Sequence, residues 1–307
     1  MNTQGKKPVV AIVGPTASGK TALSLPAAKA LGGEILCMDS MQVYRGMDIG
    51  TAKPTRAERS LVPHHLLDML DPGDSFSVSQ YAEAARACIS QVRLPILVGG
   101  TGMYLQSLSQ PMNYGTVAGN EEIRQKYHAL ADAQGPQAVH RELNKIDPPT
   151  AARLHPNDLR RVIRALEVYE LTGVPFSQQK TPDEQDAPYD FRIYALDLPR
   201  EALYGRVNRR VDEMMDAGLL SEVQRLLDGG LSPEAQSMQG LGYKELAPVI
   251  LRGAPLAEAV DLIKLRTRHF AKRQLTWFRR DQRIRWLPWQ PGQDTAPLIE
   301  RIIKENQ

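Results

Sequence analysis

Cysteine is nearly absent: Cys37 and Cys88 are the only two in 307 residues, with no CxxC pair and no Cys/His cluster. That scarcity excludes a disulfide framework and leaves zinc without a ligand set. Both thiols are expected to be small buried apolar residues. Long apolar runs are missing as well. Nothing approaches the ~18–20 residues of a membrane span, and Met1 to Pro8 lacks the apolar centre of a secretion signal, so a cytoplasmic location is expected. There is no internal repeat and no low-complexity tract, which excludes solenoids and disordered linkers. What remains, 42% hydrophobic and 24% charged residues, is the mix of a soluble globular protein large enough for a substantial core.

Acids are scarce in one place. From Lys264 to Arg285 a single acid, Asp281, stands among nine cations: Lys264, Arg266, Arg268, Lys272, Arg273, Arg279, Arg280, Arg283 and Arg285. The stretch nets +8, so the rest of the chain nets −5 against an overall +3. Such asymmetry is the footprint of a polyanionic partner.

Along the chain, Pro8 to Val13 is a short apolar, β-branched run of the kind that forms a buried parallel strand. A helical pattern from Lys20 to Leu31 stops at Gly32-Gly33. Glu34 to Met38 and Pro95 to Val98 predict further strands. Between them Ser77 and Gln80 predict a capping box opening a helix that runs to about Val92. Helix resumes near Thr101. This rhythm predicts an α/β fold, a doubly wound parallel sheet. From about Met112 to Pro188 only helical periodicity appears, clearest over Asn157 to Leu171. A strand follows at Phe191 to Leu198, then helix from Pro199 to about Asp281. The expected organisation is an α/β core of residues 1–111 and 189–307 with a helical C-terminal part, interrupted by a helical insertion over 112–188.

Gly14-Pro15-Thr16-Ala17-Ser18-Gly19-Lys20-Thr21 fits the G-x-x-x-x-G-K-[ST] P-loop between a strand and a helix, the context that gives the motif meaning. Glycines let backbone N–H groups converge on phosphate oxygens, and the helix N-terminus adds its positive end. Lys20 is expected on the terminal phosphate oxygens and the Thr21 hydroxyl on Mg²⁺. No Walker-B acid ends the Pro95–Val98 strand. The nearest carboxylate is Asp39, at the carboxyl end of the second strand and so on the ligand rim of a doubly wound sheet. It suits a general base or a metal ligand, or a cap on the following turn.

On a helical wheel Ile263, Phe270 and Trp277 recur every seven residues and, with Ala271 and Phe278, predict an apolar docking face. Lys264, Arg268, Lys272 and Arg279 form one basic stripe; Arg266, Arg273 and Arg280 form another. The near absence of acids favours a nucleic-acid surface over a solvated face of mixed sign. A second basic helix, Arg160-Arg161-Val162-Ile163-Arg164, lies in the insertion.

These blocks resemble the tRNA dimethylallyltransferase (tRNA isopentenyltransferase) family, in order along nearly the whole chain. The matches are GPTASGKT at Gly14–Thr21, DSMQVYRGMDIGTAKPT at Asp39–Thr55, HHLLDMLDP at His64–Pro72 and LVGGTGMYLQ at Leu97–Gln106. LHPNDLRRVIRALEVYELTG at Leu154–Gly173, GLGYKEL at Gly240–Leu246 and TRHFAKRQLTWFRR at Thr267–Arg280 complete them. The resemblance implies transfer of a dimethylallyl group from dimethylallyl diphosphate, with Mg²⁺. The acceptor is the exocyclic amine of the adenosine 3′ of the anticodon in tRNAs reading U-initial codons. It implies Asp39 as base for the attacking amine and Thr101 as its positioning partner, with Lys20, the P-loop and Arg210 on the diphosphate. It further implies Ser40, Met41 and Gln42 against the acceptor base, and Arg124, Arg160, Arg161 and Arg164 on tRNA. The cations Lys272, Arg273 and Arg280 are expected on its backbone. The insertion would contact the anticodon stem-loop, and a monomer is expected. Arg160-Arg161 departs from the many relatives that carry a glutamine in that pair. The P-loop and Asp39 alone also suit a kinase acting on a nucleoside or small metabolite, and a nucleotide-switched RNA-binding protein is a third possibility.

Overall fold

The computed structural model describes residues 5–110, 119–179 and 189–306. In chain order the elements are β1 (Lys7–Val13), α1 (Lys20–Leu31), β2 (Glu34–Cys37), α2 (Arg56–Leu61), β3 (His64–His65), α3 (Val78–Gln91), β4 (Pro95–Gly99) and α4 (Gly102–Ser109). Then come α5 (Glu121–Gln134), α6 (Pro136–Ile146), α7 (Pro148–Arg153), α8 (Leu159–Thr172), β5 (Tyr189–Asp197), α9 (Arg200–Asp216), α10 (Leu219–Asp228), α11 (Tyr243–Arg252), α12 (Leu256–Phe278), β6 (Ile284–Pro288) and α13 (Ala296–Asn306). The chain divides into two compact units, Met1–Ser109 with Ala187–Gln307, and Gln110–Asp186. The transitions expected at 111/112 and at 188 lie outside the described residues.

The first unit carries a parallel sheet in the order β3-β2-β4-β1-β5-β6. Strand alternation builds a core on each of its faces. Val9, Ala11 and Val13 of β1 join Tyr81 and Ile89 of α3 and Leu105 of α4, whereas Val10 and Ile12 join Leu23 of α1 and Ile302 of α13. Burial on both faces is why these strands read as continuous apolar runs. The Ser77–Gln80 capping box forms in both directions, with N···O separations of 2.9 and 3.3 Å, and Gly32 closes α1 in the left-handed conformation.

Two strands are additions to the sequence reading. β3 has two residues, too short for any periodic signal. β6 buries Ile284 and Leu287, but Arg285 between them belongs to a run read for its charge. Cys88 is only half-buried, so the expectation that both cysteines are buried holds for Cys37 alone.

The α12 face also differs from the heptad expectation. Its buried residues are Ala259, Ile263, Ala271, Gln274 and Phe278, and Trp277 packs half-buried against the core as expected, while Phe270 is 36% exposed. A straight helix drifts ~20° per heptad, so a seven-residue spacing slides off a face that α12 continues through 271, 274 and 278.

The second unit packs α5, α6, α7 and α8 around Tyr127, Val139, Leu143, Val162 and Leu166, with no strand among its described residues. A carboxylate sits inside it. Glu167 is wholly buried and accepts from the Asn120 N–H at 2.7 Å, Arg124 Nε at 2.8 Å and Arg164 at 2.5 Å.

Candidate active site

The turn from β1 into α1 is the phosphate cradle. Ala17 takes a left-handed φ of 61°, and Arg206 of α9 holds the carbonyl of that residue through Nε at 2.7 Å. The first N–H groups of α1 have no carbonyl of their own helix to serve and are available to an anion. Lys20 Nζ folds back to donate to the Gly14 carbonyl at 3.1 Å and the Pro15 carbonyl at 2.8 Å. Burial, and next the charge of Arg210, lower its pKa to about 8. Ser18 is 1% exposed and its hydroxyl has no hydrogen-bond partner among the described residues. Such an orphan is costly unless a ligand meets it.

Asp39 follows the end of β2. Its carboxylate accepts the Met41 N–H at 2.9 Å, so the capping role and the rim position coexist. Burial raises its pKa; the Met41 N–H and the Lys20 charge only partly oppose that. Beside it, Thr101 Oγ1 accepts the Ser40 N–H at 3.2 Å. The close approach of the two strand ends depends on Gly99, where a Cβ would lie 1.9 Å from the Met38 carbonyl oxygen. Gln42 Nε2 donates to the carbonyls of Thr51 and Ala52 at 2.9 and 3.1 Å.

The irregular segment after Asp39 is held by buried charge. Glu222 of α10 accepts the N–H groups of Asp48, Ile49 and Gly50 at 2.9, 2.9 and 3.1 Å, and the Tyr243 hydroxyl at 2.6 Å. Lys53 is buried against Asp48 at 2.8 Å and Asp68 at 2.6 Å. Removing either partner of such a pair leaves an uncompensated charge, so Met41 and Gln42 rest on a rigid base.

Thr16 to Thr21, Asp39 to Gln42, Thr101 and Arg210 all line one cavity of about 650 Å³, which extends to Tyr243 and Phe270. Gly14 and Pro15 form the turn behind it and supply the carbonyls that Lys20 holds. Of the nine cations of the basic stretch, Lys264, Arg266, Arg279, Arg283 and Arg285 pair with Asp212, Glu245, Asp197, Asp281 and Glu305. Arg268 donates to the Asn208 side chain. Lys272 and Arg280 make no ion pair among the described residues; Arg273 lies over the Phe270 ring. These three share a shallow surface depression with His269, Thr276 and Trp277. The remaining sequence candidates belong to the second unit. Arg124 and Arg164 are engaged with Glu167, Arg161 pairs with Asp158 at 3.2 Å, and Arg160 is exposed.

Two residues of the site were not found from sequence. Arg206, one turn before Arg210 on α9, lines the same cavity and stacks over Trp289; the i, i+4 spacing from Arg210 was the available signal. Gln274 was hidden inside a block read for its cations. Thr21 is the residue that could hold a divalent ion beside the phosphate cradle. No cluster of three acidic, His or Cys side chains exists among the described residues, and Thr21 lines the cavity at the start of α1. One hydroxyl would hold the ion there, together with phosphate oxygens and waters.

A parallel sheet with a phosphate cradle, a half-buried carboxylate and a joint cavity defines an α/β P-loop enzyme. A sequence model of the IPP transferase family matches residues 42–281, and one described as isopentenyl transferase matches residues 7–67. A tRNA dimethylallyltransferase of Pelotomaculum thermopropionicum is 47% identical over 99% of this chain and 98% of its own length. One from Desulforudis audaxviator is 49% identical over 91% of each. The crystal structure of tRNA isopentenylpyrophosphate transferase from Bacillus halodurans is similar with a TM-score of 0.73 at 44% identity, covering 98% of this chain and 95% of that one. A eukaryotic dimethylallyltransferase acting on tRNA gives 0.81 at 30% identity, covering 97% and 78%. The chain belongs to the tRNA dimethylallyltransferase, or IPP transferase, family.

Proposed function

We propose that this chain transfers the dimethylallyl group of dimethylallyl diphosphate to the exocyclic amine of the adenosine 3′ of the anticodon in tRNA, releasing diphosphate. The observation that carries the reading is the shared cavity: Lys20 and the phosphate turn line it together with Asp39 and Thr101. An allylic C–O bond breaks with positive charge on carbon and negative charge on the leaving diphosphate. Loop amides, Lys20, Arg210 and Mg²⁺ held by Thr21 would stabilise that leaving charge. Asp39 would accept the amine proton, and burial makes it a stronger base than an ordinary carboxylate. Thr101, through Ser40, holds the segment that includes Met41 and Gln42 against the base. Taking an adenine out of a single-stranded loop is less costly than from a duplex. Lys272, Arg273 and Arg280 would neutralise backbone phosphates, and Arg160 and Arg161 are candidates for the stem. Family membership disfavours the kinase reading. The deciding experiment is mass analysis of tRNA after incubation with dimethylallyl diphosphate or with ATP. A gain of one dimethylallyl group with the first donor alone supports the reading; a phosphate gained from ATP overturns it.

A further inference from the structure

Gln274 is a polar side chain on the buried face of α12, 7% exposed between Ala271 and Phe278. Its Oε1 accepts the Thr16 N–H at 2.9 Å, and its Nε2 donates to the Gly100 carbonyl at 2.9 Å. Thr16 belongs to the phosphate turn and Gly100 to the turn that carries Thr101. Complementarity is strict. A backbone N–H needs an acceptor and a backbone carbonyl needs a donor, and of the neutral side chains of this length only a primary amide presents both from one planar group. The fit is tight, because a Cβ on Gly100 would lie 2.3 Å from Gln274 Nε2. From Gly100 the connection continues through Thr101, which donates its N–H to the Met38 carbonyl at 3.2 Å and accepts from Ser40.

We propose that Gln274 is a positioning residue that sets the distance between the phosphate turn and the Thr101–Asp39 turn, and so between leaving group and attacking amine. The inference rests on the function proposed above. In a reaction whose partners arrive from two sides of a cavity, the separation of the two cradles fixes the attack distance. A misplacement of ~1 Å costs on the order of 10²-fold in rate. Gln274 borders the cavity, but both polar ends of its amide are taken up by backbone groups. It acts through two backbone groups and should therefore govern the chemical step more than either affinity.

Two variants test it in single-turnover assays at saturating tRNA and donor. Gln274→Met keeps the volume and removes both hydrogen bonds; the expected result is a rate lowered ~30–100-fold, with tRNA affinity within ~2-fold of wild type. Gln274→Glu carries the chemical signature. As a carboxylate it accepts from Thr16 but repels the Gly100 carbonyl, whereas as a carboxylic acid it restores the donor. Its rate relative to wild type should therefore rise as pH falls from 8 to 6, a change that altered packing alone would not produce. A Gln274→Met rate equal to wild type, or a pH-independent ratio for Gln274→Glu, overturns the proposal. The second variant decides the matter should the first fail to fold. Wild-type chain unable to prenylate tRNA would overturn the functional reading itself, whereas active wild type with an equally active Gln274→Met overturns only the role of Gln274.

Discussion

Thr101 Oγ1 accepts the Ser40 N–H at 3.2 Å, and this one bond ties the turn after β4 to the neighbour of Asp39. Two strand ends that are 62 positions apart in the chain thereby present one edge to the cavity. Loss of the hydroxyl in Thr101→Val should free the Ser40 segment and lower turnover ~10-fold or more, comparable to a hydrogen bond of about 1.5 kcal/mol realised in the transition state. Thr101→Ser, which retains the acceptor, should keep most of the activity. Equal turnover by Thr101→Val would separate this bond from the chemistry.

Lys20 offers a pH test. Burial and the Arg210 charge lower its pKa to about 8, so the free protein loses this cation as pH rises through that value. kcat/KM for the donor, which reports the free enzyme, should fall above about pH 8. Lys20→Ala should lower prenyl transfer by at least ~100-fold and abolish that alkaline limb. Arg210→Ala should shift the limb upward, since a repelling cation is removed, while weakening donor binding. A limb unmoved by Arg210→Ala would take Arg210 out of the electrostatics of the cradle.

For Asp39 the sign is opposite to that of a salt-bridged acid. Burial raises its folded-state pKa, so between the unfolded value and the raised one the folded protein holds a proton that the unfolded chain has lost. Its contribution to stability is present below the unfolded pKa and lost as pH rises through the folded one. At neutral pH the charged form therefore costs stability, and Asp39→Asn should leave the melting temperature unchanged or raise it. Turnover should fall roughly 10²–10⁴-fold. A large drop in melting temperature together with intact single-turnover chemistry would make Asp39 structural.

Much of this was legible because the P-loop and the strand-end glycines are local signals: their chemistry is fixed by neighbours in sequence. Lys20, Thr21 and Asp39 needed only their spacing from strands that read as apolar runs. Arg206, Gln274 and Glu222 were not legible, since each acts on backbone groups that lie 172 to 258 positions away, or 189 for Arg206. No window along the chain contains both partners. Phe270 departs for a different reason, a period of seven imposed on a helix that turns every 3.6 residues, whereas Trp277 keeps its expected side and packs half-buried against the core. Charge counting likewise overstated the basic surface, because four of the nine cations pair with acids that come from other elements.

In the second unit, Glu167 should dominate stability. Burial pushes its pKa up, but hydrogen bonds from Arg164, the Asn120 N–H and Arg124 outweigh that and hold it below the ordinary value. Its stabilisation is present above the unfolded pKa of ~4.3 and is lost as pH falls through the folded one. Glu167→Ala leaves the Asn120 N–H without its acceptor and two part-exposed arginines without their partner, and ~1–3 kcal/mol should be lost. Protease nicking confined to residues 119–179, with the remaining unit intact, is the expected readout; a wild-type digestion pattern would contradict it.

The last prediction concerns the three cations that the fold leaves without ion pairs among the described residues or, for Arg273, resting on an aromatic ring. Each Lys or Arg that neutralises a phosphate contributes about −0.7 to the salt slope of binding on single strands and −0.9 on duplex. If Lys272, Arg273 and Arg280 each meet backbone, their triple alanine variant should flatten the slope by ~2–3 units. Arg266, Arg283 and Arg285 supply the comparison, since they come from the same basic run but are paired with Glu245, Asp281 and Glu305. Their triple alanine variant should change the slope much less and the melting temperature more, because Glu245 is buried and would lose a partner. Phe278→Ala, from the fully buried face of the same helix, should cost ~3–5 kcal/mol and marks what plain destabilisation does to affinity. Donor binding should be nearly unchanged in the first variant, although Arg273 also lines the cavity. tRNA affinity measured from low to moderate salt, with thermal melts alongside, separates the cases. Parallel lines for wild type and the first variant would mean that these cations are a solvated surface and that the RNA backbone is held elsewhere.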